Sequence, residues 1–161
     1  MSTLAYLGLG ANLGDPIQQL VDARKALVGL ASTLQLRCSN FYASSPVDYE
    51  AQPDFINCVV ELETSSGAIE LLDDMQAIEN ALGRHRVADN QNAPRVIDID
   101  LLLFGDQSID IERLQVPHPR MNNRLFVLKP LLELAELERY RTALEVGDFE
   151  GQVLAKLTIG R

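Results

Sequence analysis

Apolar and polar positions along the chain change period several times, and each change predicts an element. Thr3 to Gly8 is a short apolar run, read as a strand, and the glycine- and asparagine-containing stretch from Gly10 to Pro16 reads as a loop. Asp15, Pro16 and Gln18 form a helix start with a capping box, and Ile17, Leu20, Val21, Leu27 and Val28 give a helical stripe to about residue 30. Thr33 to Ser45 predicts one long strand with Leu34, Leu36 and Cys38 on one face. A turn-rich loop over 44–54 follows. Phe55 to Thr64 then alternates as a strand, with Ile56, Cys58, Val60 and Leu62 toward the core and Phe55, Asn57 and Val59 opposite. Ser65 and Ser66 open a second helix that buries Ala68, Leu71, Leu72, Met75, Ile78 and Leu82, and Gly83 ends it. Residues 84–93 are polar and without period, and read as a flexible, lid-like loop.

Val96 to Phe104 is the next strand, closed by a turn at Gly105-Asp106. Alternation puts Asp98, Asp100, Leu102 and Phe104 on one face and Ile97, Ile99, Leu101 and Leu103 on the other. Apolar residues on both faces predict a central, covered strand. Ser108 to Ile111 returns as a hairpin strand; 122–137 reads as a helix broken at Pro130; the tail from Glu138 is acidic, with a short helix over 153–157. The interleaving of strands and helices predicts an α+β protein, a mainly antiparallel sheet with helices on its faces, compatible with a ferredoxin-like core in one domain over 1–161.

The 161 residues are 47% apolar, enough for a real core, and no run is long enough for a membrane span. The start has no basic leader, and Cys38 and Cys58 in strands read as buried thiols rather than a disulfide, so a cytoplasmic location is expected. A net charge of −9 argues against nucleic acid or an anionic membrane as the partner. Against that background, six arginines between Arg84 and Arg124 form a positive island suited to a polyanionic ligand, or are ordinary solvated loop arginines.

The candidate chemistry sits in the strand beginning at Asp98. Two carboxylates about 7 Å apart on one face are either a solvated strand end or ligands for divalent ions that hold substrate phosphates. Arg95, just upstream in a loop set by Pro94, suits phosphate recognition. Asn57 beside Phe55 is either a reader of a heterocycle edge or a satisfied polar residue. His118, fixed between Pro117 and Pro119, is either structural or a phosphate ligand.

Two long motifs then combine. Pro94-Arg95-x-x-Asp98-x-Asp100-x-x-x-Phe104-Gly105, followed by Val116-Pro117-His118-Pro119-Arg120-Met121-x-x-Arg124-x-Phe126-Val127-Leu128, closely resembles the 6-hydroxymethyl-7,8-dihydropterin pyrophosphokinase family of folate biosynthesis. Gly8 to Gly14, the segment from Phe41 to Asn57, and Gln76, Ile78, Glu79 and Gly83-Arg84 extend the resemblance over nearly the whole chain. It implies transfer of pyrophosphate from ATP to a pterin alcohol with release of AMP. Asp98 and Asp100 would hold two Mg²⁺ ions, and Arg84 and Arg95 would complete the catalytic set. Gln76, Glu79, Arg86, Leu101, Arg113, His118 and Arg124 would contact ATP; Ser44, Ser45, Val47, Phe55, Asn57 and Phe126 would line the pterin pocket. The expected partners are small molecules only, and the expected assembly is a monomer, with a dimer as alternative. Where the family usually reads Arg-Trp-Gly before Pro-Arg, this chain reads Gln91-Asn92-Ala93. Two other readings accompany this one: a non-catalytic or weakly active pterin- or nucleotide-binding relative, and a nucleotidyltransferase with two aspartates.

Overall fold

The computed structural model describes residues 1–45, 53–83 and 96–158. Among them the chain runs β1 (Thr3–Ala11), α1 (Pro16–Val28), β2 (Thr33–Cys38), β3 (Tyr42–Ser44), β4 (Phe55–Thr64), α2 (Ala68–Ala81), β5 (Asp98–Phe104), β6 (Ile109–Ile111), β7 (Leu114–Val116), a 3₁₀ turn (Met121–Asn123), α3 (Leu125–Leu134), α4 (Glu138–Val146) and β8 (Leu154–Lys156). The main sheet is antiparallel in the order β5-β1-β4-β3-β8, with β2 paired to the other end of β4; β6 and β7 pair as a separate ribbon. With β2 and β3 sharing one edge of β4, this is the α+β, ferredoxin-like arrangement that the alternation predicts.

The two faces of the sheet carry two cores. Leu7, Leu9, Cys58, Val60, Leu62, Ile99 and Leu101 pack under α1 and α2 with Leu20, Leu27, Leu71 and Met75. Tyr6, Val59, Leu102 and Leu103 pack under α3 and α4 with Val127, Leu128, Leu131 and Tyr140. Apolar burial of this kind, at roughly 25 cal/mol per Å², is what holds the helices to the sheet.

Several expectations are corrected. β1 runs on to Ala11, so the turn toward α1 starts later than Gly10. Asp15 does cap α1, accepting the Gln18 amide at 3.2 Å, but Gln18 turns its own side chain forward to Asp22 instead of closing a box. Ile17 and Val28 are exposed, and Ala23 joins Leu20 and Leu27 on the buried stripe. The long strand over 33–45 is two strands. Between them Ser39 leaves the ladder and accepts the Val59 amide on its hydroxyl at 2.9 Å. A register shift between Thr33 and Gln35 turns Leu34 out to solvent at 60% exposure. β5 is not central: it forms the sheet edge, covered on both faces. Its edge is closed by the Glu79 carboxylate, which accepts the Ile99 amide at 2.9 Å, and by the His118 amide on the Leu102 carbonyl at 2.9 Å.

The ladder between β1 and β5 also slips by one residue: Leu7 faces Leu101, and Tyr6 faces Leu103. Leu102 is the extra residue, a β-bulge. Downstream of it the faces exchange, so Leu103 joins the α3 side and Phe104 the α1–α2 side, opposite to simple alternation. Ile109–Ile111 pairs with β7 rather than returning onto β5. Pro130 lies inside α3 without breaking it; its missing N–H costs a single helical bond, and the burial of Val127, Leu128 and Leu131 carries the helix through. The expected helix over 153–157 is β8, drawn into the sheet by β3. Gly83, at a φ of 115°, ends α2 as expected. The expected loop over 84–93, and most of that over 44–54, lie outside the described residues.

Candidate active site

Asp98 and Asp100 project from the α3 side of β5, with Gly10 and Gly8 directly opposite them on β1 and Asn57 and Val59 beyond on β4. Two glycines in a strand interior leave a floor without side chains. Above it lies a cavity of about 630 Å³. Both aspartates line it, with Ser44, Ser45, Phe55, Asn57, Arg124 and Phe126. Asn57, 5% exposed, donates from Nδ2 to the Ser44 hydroxyl at 2.8 Å. That bond fixes the carboxamide, and its Oδ1 lies over Gly10 so closely that a Cβ there would meet it at 2.9 Å. Arg124 stacks on Phe126, its guanidinium carbon 5.5 Å from the ring centre.

A second cavity of about 390 Å³ opens past the β5 edge, between α2 and the β6–β7 ribbon. It gathers Gln76, Glu79, Leu101, Arg113 and His118, and Asp100 lines it as well. Arg113 is held by Asp73 at 2.7 Å and reaches the Gln76 carbonyl at 3.4 Å. The Arg120 amide donates to His118 Nδ1 at 3.2 Å, so a neutral imidazole carries its proton on Nε2. Burial pushes the His118 pKa down from its usual 6.5; Asp100 opposes this, and Arg124 and Arg120 reinforce it.

The structure therefore brings the expected residues together in two sets joined at Asp100. Arg124, expected with the nucleotide residues, lines the aromatic cavity instead. Arg84, Arg86, Arg95 and Val47 lie outside the described residues. A third groove of about 730 Å³, between α1, β2 and the end of α3, is larger but contains neither aspartate. Among the described residues no three acidic, histidine or cysteine groups converge on a metal position.

The sequence profile of the 7,8-dihydro-6-hydroxymethylpterin-pyrophosphokinases matches residues 6–136. The chain belongs to this pyrophosphokinase family. It is 44% identical over 131 residues to the 2-amino-4-hydroxy-6-hydroxymethyldihydropteridine pyrophosphokinase of Haemophilus influenzae, covering 81% of each chain. It is 43% identical over 152 residues to the enzyme of the same name from Bacillus subtilis, covering 94% of this chain and 89% of that one. Among solved structures, the HPPK-DHPS of Plasmodium falciparum shares the fold, with a TM-score of 0.62 at 16% identity over 83% of this chain and 40% of that one. The pyrophosphokinase profile ends before α4 and β8, yet Gln152, between those two elements, lines the cavity that holds both aspartates.

Some lining residues of this pyrophosphokinase fold are given no site role by the motif reading. The alternate glycines 8 and 10 inside an apolar strand are a signal in themselves, because glycine there marks a close backbone approach. Leu102 reaches the cavity in the same phase as the aspartates. Arg120, one of the island arginines, is solvent-exposed and lines the cavity mouth as well. Nothing near Gln152 in the sequence points to its place.

Proposed function

We propose that the protein transfers the pyrophosphoryl group of ATP to the hydroxymethyl oxygen of 6-hydroxymethyl-7,8-dihydropterin, releasing AMP, in folate biosynthesis. The observation that carries this reading is that Asp100 lines both cavities. An acceptor in one and a nucleotide in the other would meet at the Asp98–Asp100 pair.

Each wall has a part suited to this reaction. Phe55 and Phe126 offer aromatic surface to a flat pterin. Asn57 Oδ1, fixed through Ser44, offers an acceptor to the pterin N–H edge. His118 presents an Nε2 proton to phosphate oxygen, and Gln76 and Arg113 lie along the same wall. Glu79 acts from below: its buried carboxylate holds the amide of Ile99, the residue between the aspartates. Two carboxylates with room for ligand oxygens fit Mg²⁺, which takes one or two protein carboxylates together with substrate phosphates. Two such ions, when bound, would neutralise phosphate charge as it redistributes. The rest is positioning: the residues hold the acceptor oxygen in line with the β-phosphorus, and bond making and breaking occur between the substrates. Arg84 and Arg95 complete the catalytic set in this proposal. The net charge and the thiols of Cys38 and Cys58, neither of them in a disulfide, support a cytoplasmic protein, and a monomer is the assembly of this proposal.

Chromatographic analysis of AMP formed from MgATP, with and without the pterin alcohol, tests the reading. AMP appearing in step with the diphosphorylated pterin is expected. Pyrophosphate in place of AMP would mean nucleotidyl transfer, and pterin binding without AMP a binding protein.

A further inference from the structure

Arg124 and Phe126 sit where the 3₁₀ turn gives way to α3, and the Arg124 amide donates to the Met121 carbonyl at 3.2 Å. Arg124 is the N-cap residue and its side chain makes no capping bond. The first amides of a helix need partners from elsewhere. Here the partner comes from the tail. Gln152 Oε1 accepts the Leu125 amide at 2.9 Å, and Gln152 Nε2 donates to the Asn123 carbonyl at 2.8 Å. One carboxamide thus spans Arg124 from both sides.

The same short segment also holds the opposite wall of the cavity. The Ser45 amide donates to the Val153 carbonyl at 3.3 Å, and Leu154 pairs with Ser44 as β8 joins β3. Ser44 in turn fixes Asn57. Residues 152–154 therefore tie the Arg124–Phe126 wall to the Ser44–Asn57 wall, from a part of the chain beyond residue 136, where the family profile ends.

We propose that Gln152 is a positioning residue for the pterin: its carboxamide sets Arg124 and Phe126 against the cavity and so determines pterin affinity. This rests on the functional reading above. The geometry requires an acceptor and a donor on one side chain of this length. Glutamate keeps the acceptor for Leu125, but its ionised form presents an oxygen to the Asn123 carbonyl. Protonated, it regains a donor and can mimic the amide.

The test is equilibrium binding of 6-hydroxymethyl-7,8-dihydropterin, without turnover, to the full chain and to Gln152→Ala and Gln152→Glu. Binding of a non-hydrolysable MgATP analogue serves as the control. Wild type should bind the pterin. Gln152→Ala should weaken pterin binding by about tenfold, while the ATP analogue changes by no more than about threefold. Gln152→Glu should be as weak at neutral pH, and its ratio to wild type should recover as the pH falls toward the carboxyl pKa of about 4.3; the alanine variant should show no such recovery. If both variants bind pterin as wild type does, or lose pterin and ATP analogue alike, or if Gln152→Glu shows no pH-dependent recovery, the proposal is overturned while the functional reading stands. If wild type binds no pterin, both fall.

Discussion

Asp98 stands directly opposite Gly10 across the β1–β5 ladder. A side chain in that place would stand about 5 Å away at Cβ and cover the carboxylate; glycine leaves it open to the cavity. The same strand carries Gly8 opposite Asp100, so the two acidic positions and the two bare positions are one design.

The two glycines should differ when replaced. A Cβ at Gly10 meets Asn57 Oδ1 at 2.9 Å, and Asn57 is buried and bonded to Ser44. A Cβ at Gly8 meets Leu102 at 3.6 Å, an ordinary contact. Gly10→Ala is therefore expected to lose about 1–3 kcal/mol of stability, the usual cost of overpacking, and to weaken pterin binding. Gly8→Ala should keep most of its stability. Urea unfolding of the two variants side by side checks this; equal stability would show that Asn57 moves aside freely.

Asp98→Asn and Asp100→Asn should each lower AMP formation by about 10²–10³-fold, the usual scale for losing one preorganised electrostatic group, with little change in melting temperature. Asp100→Asn should also weaken MgATP binding, since Asp100 alone of the pair lines the cavity proposed for the nucleotide. Calorimetric titration with a non-hydrolysable analogue distinguishes the two variants.

Glu79 supports the pair from beneath. Glu79→Gln keeps an acceptor for the Ile99 amide, whereas Glu79→Ala leaves that buried edge amide without this bond, at a cost of about 1–3 kcal/mol. The expected order of stability and turnover is wild type, then Glu79→Gln, then Glu79→Ala. Turnover of the alanine variant equal to wild type would remove Glu79 from this role.

A stability change with pH should trace to Glu61, which lines neither of the two cavities joined at Asp100. Tyr6 donates to it at 2.6 Å and Arg37 at 2.8 Å, in one row across β1, β4 and β2. The bond from Arg37 is the main reason the Glu61 carboxyl sits below its usual 4.5; burial opposes it, and Tyr6 adds to it. The folded form therefore holds this proton less tightly than the unfolded chain. The resulting stability is fully present above pH 4.5 and is lost as pH falls through the depressed value. Glu61→Gln should lack this component, so denaturation midpoints of the two proteins should converge below that range. Parallel curves from neutral to acid pH would refute the assignment.

The elements most legible in the sequence are those whose periods are unbroken. β4 and α2 present clean alternation and a clean stripe, and their core faces appear as the pattern implies. The two aspartates on one face follow from strand alternation, and the residues gathered around them are those the family resemblance implies. What resists reading depends on partners distant in the chain. The slip at Leu102 is set by pairing with β1, the split at Ser39 by the Val59 amide, and β8 by the edge of β3. Val153 to Leu157 carries a helical-looking pattern, and only the waiting strand decides otherwise. Gln152 belongs to the same class: its role lies in two main-chain groups almost thirty positions earlier.

The extra residue in β5 has a consequence for how the strand can change over time. Upstream of Leu102, side-chain phase is dictated by chemistry, with carboxylates toward the cavity; downstream, it is dictated by packing, with Leu103 and Phe104 assigned to opposite cores. The bulge uncouples the two demands, as a joint lets two rigid rods be cut to different measures. Drawing Leu102 into a regular ladder would force one half of the strand out of phase: either the acidic pair would turn into the hydrophobic layer under α1 and α2, or Leu103 and Phe104 would exchange cores.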